Sequence, residues 1–185
     1  MIIQDSSTGY TASVSETNKL QTTAVSIPVM AEVSRQIGQS FVFASGDFIN
    51  ITTTNTEYGF LFIRNDSTTK DLHIQSIRTC GTQLQKWKLY ANITGGTLLT
   101  GETAGSDNNL NLGSSNASDV TVYKGANGVT HSGGTMLEHW ITDIGHSRED
   151  FEGALVLSPS DNIVVSIETP VAGDFCSRII GYRGS

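Results

Sequence analysis

Charged residues are scarce in this chain, at 16% of its 185 residues, against roughly one quarter in soluble domains. The eleven lysines and arginines are scattered singly, and the formal net charge is -7. Nucleic-acid affinity comes mainly from cations clustered along a phosphate backbone, so this distribution argues against a nucleic-acid-binding protein. The absence of any basic amphipathic segment argues equally against binding to a membrane surface.

Long apolar runs are also missing. The longest, such as "FLFI" and "ALVL", are far shorter than the roughly 20 residues that span a bilayer. The first ten residues have neither the basic region nor the apolar region of a signal peptide. We therefore expect a soluble protein that is made in the cytoplasm and has no membrane partner.

Cysteine is rare, with only Cys80 and Cys176. Two cysteines are too few for a disulfide scaffold, and synthesis in the cytoplasm favours reduced thiols. The sequence therefore predicts two buried free thiols, with a Cys80–Cys176 bridge as the alternative.

Helical periodicity is absent, and short alternating runs take its place. "SFVFASGDFINITTT" contains two such runs divided by a turn, and "KWKLYAN" alternates apolar and polar residues. "GALVLSPSDNIVVSIETP" reads as strand, tight turn and strand. We count roughly eight to ten strands, which favours an all-β fold with a two-sheet antiparallel sandwich of jelly-roll type over residues 26–185.

Residues 1–25 stand apart from this domain because they are polar and rich in threonine and serine. Their only charges are Asp5, Glu16 and Lys19, so electrostatic anchoring is not expected. Their apolar residues are too sparse to pack into the home core, which predicts an extended N-terminal arm laid on a neighbouring chain. The candidate partner-interface residues of this arm are Ile2, Ile3, Tyr10 and Leu20.

The stretch "EHWITDIGHSREDFEG" concentrates histidines and carboxylates at residues 138–153. Its ligand-like residues would share a face only on a helix, which Thr142 and Gly145 disfavour, and no known metal-site spacing is present. We interpret it as a polar connection around a buried Trp140, leading into a strand that starts near Phe151. The residues considered for metal or acid–base chemistry are Glu138, His139, Asp143 and His146.

The segment "DNNLNLG" approaches a calcium loop, with Asp107, Asn109 and Asn111 at alternate positions. Leu112 stands where the turn glycine belongs and Ser118 where the bidentate glutamate belongs, so no calcium site is predicted. Nucleophile elbows and phosphate-binding glycine loops are also missing. We therefore expect no catalytic residues, no metal, no cofactor and no enzymatic activity. The aromatic candidates for a sugar platform are Trp87, Tyr90, Tyr123 and Trp140, of which Trp87 and Trp140 are expected in the core.

Three stretches resemble the small jelly-roll proteins on the outside of tailed-bacteriophage virions, which decorate or cement the capsid. "GFLFIRNDSTTKDLHIQSI" resembles a paired-strand unit, "LVLSPSDNIVVSIETP" the penultimate hairpin, and "IIGYRG" a terminal strand. The resemblance implies a non-enzymatic virion structural protein that stabilises a capsid lattice. It further implies location on the capsid surface, contact with the major capsid protein or other virion proteins, and a homo-oligomer, most simply a trimer.

Two alternatives remain open at this point. One is a carbohydrate-binding or receptor-binding jelly-roll module, such as a phage fibre or spike head, that uses the loops at 94–118 and 125–135. The other is a glycan-degrading enzyme with carboxylates drawn from 138–152. A lectin or enzyme predicts a concave pocket with converging polar groups, whereas a decoration protein predicts flat interfaces and an arm.

Overall fold

The computed structural model describes residues 38–100 and 103–183, together with the backbone of three short strands before them. Those three are β1 (Ile2–Gln4), β2 (Thr11–Val14) and β3 (Leu20–Thr22), which pair antiparallel in that order. Tyr10 and the side chains of Ile2, Ile3 and Leu20 lie outside the described residues. The arm at 1–25 and its role toward a partner therefore stay predictions.

Two antiparallel sheets pack face to face over the rest of the described chain. Sheet 1 has the strand order β10-β6-β13-β8-β11, and sheet 2 has the order β12-β7-β14-β4-β9, with β5 also paired to β14. The strands are β4 (Ser40–Ala44), β5 (Ile49–Ile51), β6 (Glu57–Asn65), β7 (Leu72–Gly81), β8 (Gln85–Ala91), β9 (Ser106–Asn109), β10 (Val120–Lys124), β11 (Thr135–Thr142), β12 (Gly145–Leu157), β13 (Asn162–Glu168) and β14 (Gly173–Arg183). One turn of 3-10 helix spans Thr97–Thr100. The predicted all-β two-sheet sandwich is confirmed.

The strands pair as a nested set. β4 pairs with β14, β6 with β13, β7 with β12 and β8 with β11, all antiparallel. In a jelly roll, the first strand pairs with the last, the second with the last but one, and so on inward along the chain. The strand order is consistent with the predicted jelly-roll type.

The core lies between the sheets because inward and outward residues alternate along each strand. Phe60 and Trp87 meet edge to face there, with ring centroids 5.2 Å apart, and both are fully buried. Trp87 is thus a core residue, as predicted. Trp140 packs at the margin of this core, and its Nε1 donates to Oγ1 of Thr79 on the opposite sheet at 3.2 Å.

A second, smaller apolar cluster lies on the outer face of sheet 1. Phe62 and Val164 of that face are fully buried, with Ile93 and Leu98 packed over them. Val129 joins from the segment after β10. Parts of the two loops that were considered for sugar binding, around 93–99 and 129, are thus folded onto the sheet, where their apolar side chains complete a core.

The two cysteines form a disulfide, so the expected free thiols are wrong. Cys80 and Cys176 lie directly opposite each other on β7 and β14. Their Cα atoms are 5.2 Å apart, within the range of about 4.4–6.8 Å that a disulfide bridges. The compartment in which a protein is made does not predict whether two cysteines are adjacent, because adjacency depends on strand register.

The stretch at 138–153 is also different from the expected polar connection. It comprises the end of β11, a turn at 143–144, and the first part of β12, which starts at Gly145 and not near Phe151. Exposure alternates along β12 because it is an edge strand with one face toward the core. Alternating polar residues on such a strand resemble a polar loop in sequence. Within the described part of the chain, no helix is long and apolar enough to span a membrane.

Candidate functional site

The four residues considered for chemistry at 138–146 are distributed over two sheets. His139 lies on β11 opposite Lys88, whereas His146 lies on β12 opposite Cys80. Asp143 occupies the turn between the strands and accepts a hydrogen bond from the backbone N of Ile144 at 2.9 Å. Glu138 accepts from the backbone N of His139 at 3.0 Å. The fold does not bring these side chains together.

The calcium-like segment has structural contacts instead. Asp107 accepts a hydrogen bond from the Ser118 hydroxyl. The amide of Asn109 donates to the carbonyl oxygens of Gly38 at 2.7 Å and Asn116 at 3.1 Å. Among the described residues, no group of three or more histidines, cysteines, aspartates and glutamates is placed to hold a metal ion.

A row of three arginines crosses the outer face of sheet 2. Arg148 of β12 lies opposite Arg78 of β7, and Arg78 lies opposite Arg178 of β14. The next outward position along each strand holds His146, Cys80 and Cys176. The chain has only eleven lysines and arginines, so three in one register row is a marked local concentration.

The arginine row lines a groove with a volume of about 720 Å³. The described residues that line it include Arg78, Arg148, Arg178 and His146, but no aspartate or glutamate. The disulfide forms part of its floor, and Val42 and Ala44 add apolar surface. This groove combines a concave shape with polar groups from three strands, which is the usual form of a small-molecule site.

A polar cluster on the outer face of sheet 1 is centred on Glu57. Its Oε2 accepts from Nζ of Lys88 at 2.5 Å, and its Oε1 accepts from the Ser166 hydroxyl at 2.7 Å. Nε2 of His131 lies 3.1 Å from the same Oε1. The His131 ring packs against Tyr90, with centroids 4.7 Å apart. Tyr90 also hydrogen-bonds to Glu57, so four side chains converge on a single carboxylate.

These contacts determine the protonation of the Glu57 cluster. Burial alone would raise the pKa of Glu57, but hydrogen bonds from His131, Lys88, Ser166 and Tyr90 hold it well below its usual range. The hydrogen bond to Glu57 raises the pKa of Lys88, and burial raises the pKa of Tyr90. Glu57 is therefore ionised at neutral pH and is a weak proton acceptor.

The order of contacts in this cluster differs from that of a nucleophilic triad. In a triad the histidine lies between the nucleophile and the carboxylate. Here Glu57 lies between Ser166 and His131, because the Ser166 hydroxyl donates to the carboxylate. This geometry ties strands and a loop together, and it does not activate the Ser166 oxygen.

The edge strand β11 carries apolar side chains that the described residues leave about half exposed or more. β11 pairs with β8 on one side and forms the end of sheet 1 on the other. Met136 is 50% exposed, Leu137 45% and Ile141 66%, and Ile144 in the following turn is 72% exposed. This row is called the β11 edge below.

Sequence reasoning missed the arginine row and the Glu57 cluster. One signal for the row was available: Arg78 precedes Cys80 by two residues, and Arg178 follows Cys176 by two. If the cysteines are paired on antiparallel strands, these two arginines must also face each other on the same side of the sheet. No local signal exists for the Glu57 cluster, because its members come from β6, β8, β13 and a loop.

Comparisons with protein-family models, with curated proteins and with solved structures give no match for this chain.

Proposed function

We propose that this protein is a non-enzymatic virion structural protein of the capsid decoration or cement type. In this role it self-associates, binds the major capsid protein or another virion protein, and stabilises the capsid lattice. The single observation that carries the proposal is the exposed apolar β11 edge. The resemblance of three of its stretches to phage virion-surface jelly rolls supports the assignment to a virion.

β11 has a bulge between Met136 and Glu138, but the apolar exposure that remains at the β11 edge is unusual for an edge strand of a monomer. Edge strands expose unpaired backbone donors and acceptors, and monomeric proteins commonly protect them with charges, proline or bulges. Met136, Ile141 and Ile144 present exposed apolar side chains at this edge. We assign a second copy of this chain as the occupant, since pairing along β11 would satisfy its backbone and bury its side chains.

Self-association would suit a decoration protein physically. Each copy in an oligomer can contact the lattice through the same surface, so several weak contacts act at high effective concentration. The segment containing β1, β2 and β3 would supply such contacts. Three strands of three or four residues are too short for a sheet that is stable alone, so packing against another surface is expected.

The oligomeric state tests this proposal. Analytical ultracentrifugation should show an oligomer for the unmodified chain and a monomer for the double variant Met136→Glu, Ile141→Glu. Leu112→Glu is the matched control, because Leu112 is 95% exposed but lies far from β11 in sequence and on a loop. The control should remain oligomeric. A monomeric unmodified chain, or an unchanged oligomer in the double variant, would contradict the proposal.

Attachment to particles tests the virion role separately. The oligomer should co-sediment with phage capsids that lack their decoration protein, and it should raise their resistance to heat. An oligomer that associates with no such capsid would leave the self-association intact but remove the capsid role.

A carbohydrate-binding or receptor-binding module is the second candidate. The groove on sheet 2 favours it, because binding modules place converging polar groups in a concave site. Screening against a glycan array distinguishes the two: a decoration protein needs no glycan ligand, whereas a binding module should select a defined set.

A further inference from the structure

The arginine row places like charges where sheet geometry makes them unfavourable. Directly opposed residues on neighbouring antiparallel strands have Cβ atoms about 4.5–5.5 Å apart, and like charges at such positions destabilise the sheet. Arg78 has an arginine on both sides, Arg148 and Arg178. Three guanidinium groups therefore share one line across three strands.

The described part of the chain offers little compensation for this charge. Arg148 pairs with Asp150, with Nε 2.6 Å from Oδ1, but this pair is about half exposed. Neither Arg78 nor Arg178 forms a salt bridge within residues 38–100 and 103–183. Nε of Arg78 is buried and has no hydrogen-bond partner among these residues. Buried donors without partners are rare because each costs free energy.

The groove around this row has no acidic group among the described residues that line it. The whole chain carries a net charge of -7, so this surface differs in sign from the average of the molecule. Guanidinium groups bind carboxylate, sulfate and phosphate oxygens through two parallel hydrogen bonds, and this geometry makes arginine the preferred residue for oxyanions. The row is thus suited to such a group.

We propose that the groove on the outer face of sheet 2 binds an oxyanion through Arg78 and Arg178. The oxyanion is a carboxylate, sulfate or phosphate, either free or carried by a small acidic saccharide. Arg78 lies in the middle of the row and Arg178 lies beside it. Arg148 is held by Asp150 and borders the site.

The disulfide gives this site a fixed width. Cys80 and Cys176 join the two strands that carry Arg78 and Arg178, at the neighbouring outward positions. A covalent link there limits how far the two arginines can separate. Ligand binding therefore costs less conformational entropy. The apolar side of the groove, which includes Val42, can contact the uncharged face of a sugar ring.

The size of the groove fits a ligand larger than a bare ion. Neighbouring strands lie about 4.8 Å apart, so the row spans roughly 10 Å between its outer strands. A single oxyanion would occupy only the centre of a groove of about 720 Å³. The remaining space next to Val42 and Ala44 is what a saccharide would fill. The inference does not rest on the capsid role, because it concerns a different face of the sandwich from the β11 edge.

Isothermal titration and thermal melting of the full chain test this site. Sodium sulfate, sodium phosphate, glucuronate and a sulfated disaccharide are the probes. Sodium chloride at equal ionic strength and uncharged glucose are the ligand controls. We expect at least one anionic probe to bind and to raise the melting temperature beyond the effect of chloride. If only sulfate or phosphate binds, the ligand is a free ion or a sulfated group. If glucuronate binds, the ligand is an acidic sugar. Either result supports the site.

Arg78→Gln and Arg178→Gln should each weaken that binding at least tenfold. Arg64→Gln is the matched control, because Arg64 lies on sheet 1 in a salt bridge with Asp66 and its loss changes the net charge equally. Arg178 is exposed, so its variant stays informative even if Arg78→Gln folds poorly. The proposal is overturned if no anionic probe exceeds chloride, or if Arg178→Gln binds as tightly as Arg64→Gln.

Discussion

The guanidinium of Arg183, near the end of β14, donates two hydrogen bonds to Oδ1 of Asn65, which lies 118 residues earlier at the end of β6. Both distances are 3.1 Å. The same side chain donates to the carbonyl oxygens of Ser118 at 2.6 Å, Lys70 at 3.1 Å and Asp119 at 2.9 Å. Arg183 is only 2% exposed. One side chain therefore joins the last strand to two turns and to the first long strand of sheet 1.

Arg183→Met should destabilise the sandwich strongly. The substitution leaves several buried acceptors without donors, and each such loss costs about 1–3 kcal/mol. We expect the free energy of unfolding to fall by about 3 kcal/mol or more, measured by urea denaturation with tryptophan fluorescence. Arg64→Met removes an exposed salt bridge with Asp66, and this control should lose less than about 1 kcal/mol. Equal losses in the two variants would contradict the structural role of Arg183.

Thiol titration should find no free groups in the unfolded chain without reductant, and two groups after reduction. The bond between Cys80 and Cys176 closes a loop with a sequence separation of 96. A loop of this length restricts the unfolded chain, and the double variant Cys80→Ser, Cys176→Ser should lose about 4–5 kcal/mol on the chain-entropy view. Two reactive thiols in the unreduced chain would show that Cys80 and Cys176 are not bonded to each other.

Acid should unfold the protein partly through Glu57. Its pKa lies below the ordinary value of 4.5 in the folded chain, so the unfolded chain binds more protons at acid pH. The contribution of Glu57 is therefore complete above pH 4.5 and decreases as the pH falls below that value toward the lowered pKa. Glu57→Gln should flatten the loss of stability in urea titrations at pH values of about 3 to 5.

The control for Glu57 is Asp150→Asn. Asp150 lies on β12 of sheet 2, outside the Glu57 cluster, and pairs with Arg148, whose side chain is 46% exposed. Its removal changes the net charge equally but breaks a more solvent-screened pair, so we expect a smaller change in the acid limb. An equal flattening in both variants would assign the effect to net charge and not to the cluster.

Arg178→Gln should stabilise the ligand-free protein at low ionic strength. The change removes one of the directly opposed like charges on β7 and β14, and such pairs cost roughly 0.2–1 kcal/mol. The gain should shrink as sodium chloride screens the interaction between exposed charges. Thermal melting at low and high salt measures both effects, and a destabilised variant at low salt would show that Arg178 has a favourable partner.

Deletion of residues 2–25 should leave the sandwich folded. The core residues that the structure describes, from Phe41 to Ile179, lie after this segment. We expect a melting temperature close to that of the full chain and loss of attachment to the assembly that the protein joins. A truncated chain that attaches with unchanged affinity would remove the arm from the interface.

The central strands β8 and β13 of sheet 1 were predictable because alternation is a local property. "KWKLYAN" shows the period of two directly, and "NIVVSIE" carries Ile163, Val165 and Ile167 at alternate positions; both are strands. The stretch at 138–153 was misread because edge strands carry polar residues on their open face, as loops do. Local pattern therefore identifies central strands better than edge strands.

The candidate sites were less predictable because they depend on register. Arg78 and Arg178 are 100 positions apart in numbering and become neighbours only when β7 pairs with β14 in one alignment. A shift of β14 by one residue would turn Arg178 toward the core while Arg78 stayed on the outer face. The only sequence signal for this alignment is the pair Cys80 and Cys176. The expectation of free thiols meant that this signal was not used.

The nested strand pairs impose an order of events during synthesis. The partner of β4 is β14, so the edges of β4 and β5 toward it remain open until residues 173–183 have left the ribosome. By contrast, β8 and β11 are close enough in the chain to pair earlier. A ribosome-bound chain truncated before β14 would expose the apolar faces of Phe41, Phe43 and Ile51. Such a nascent chain is a natural substrate for chaperones that cover unpaired strands.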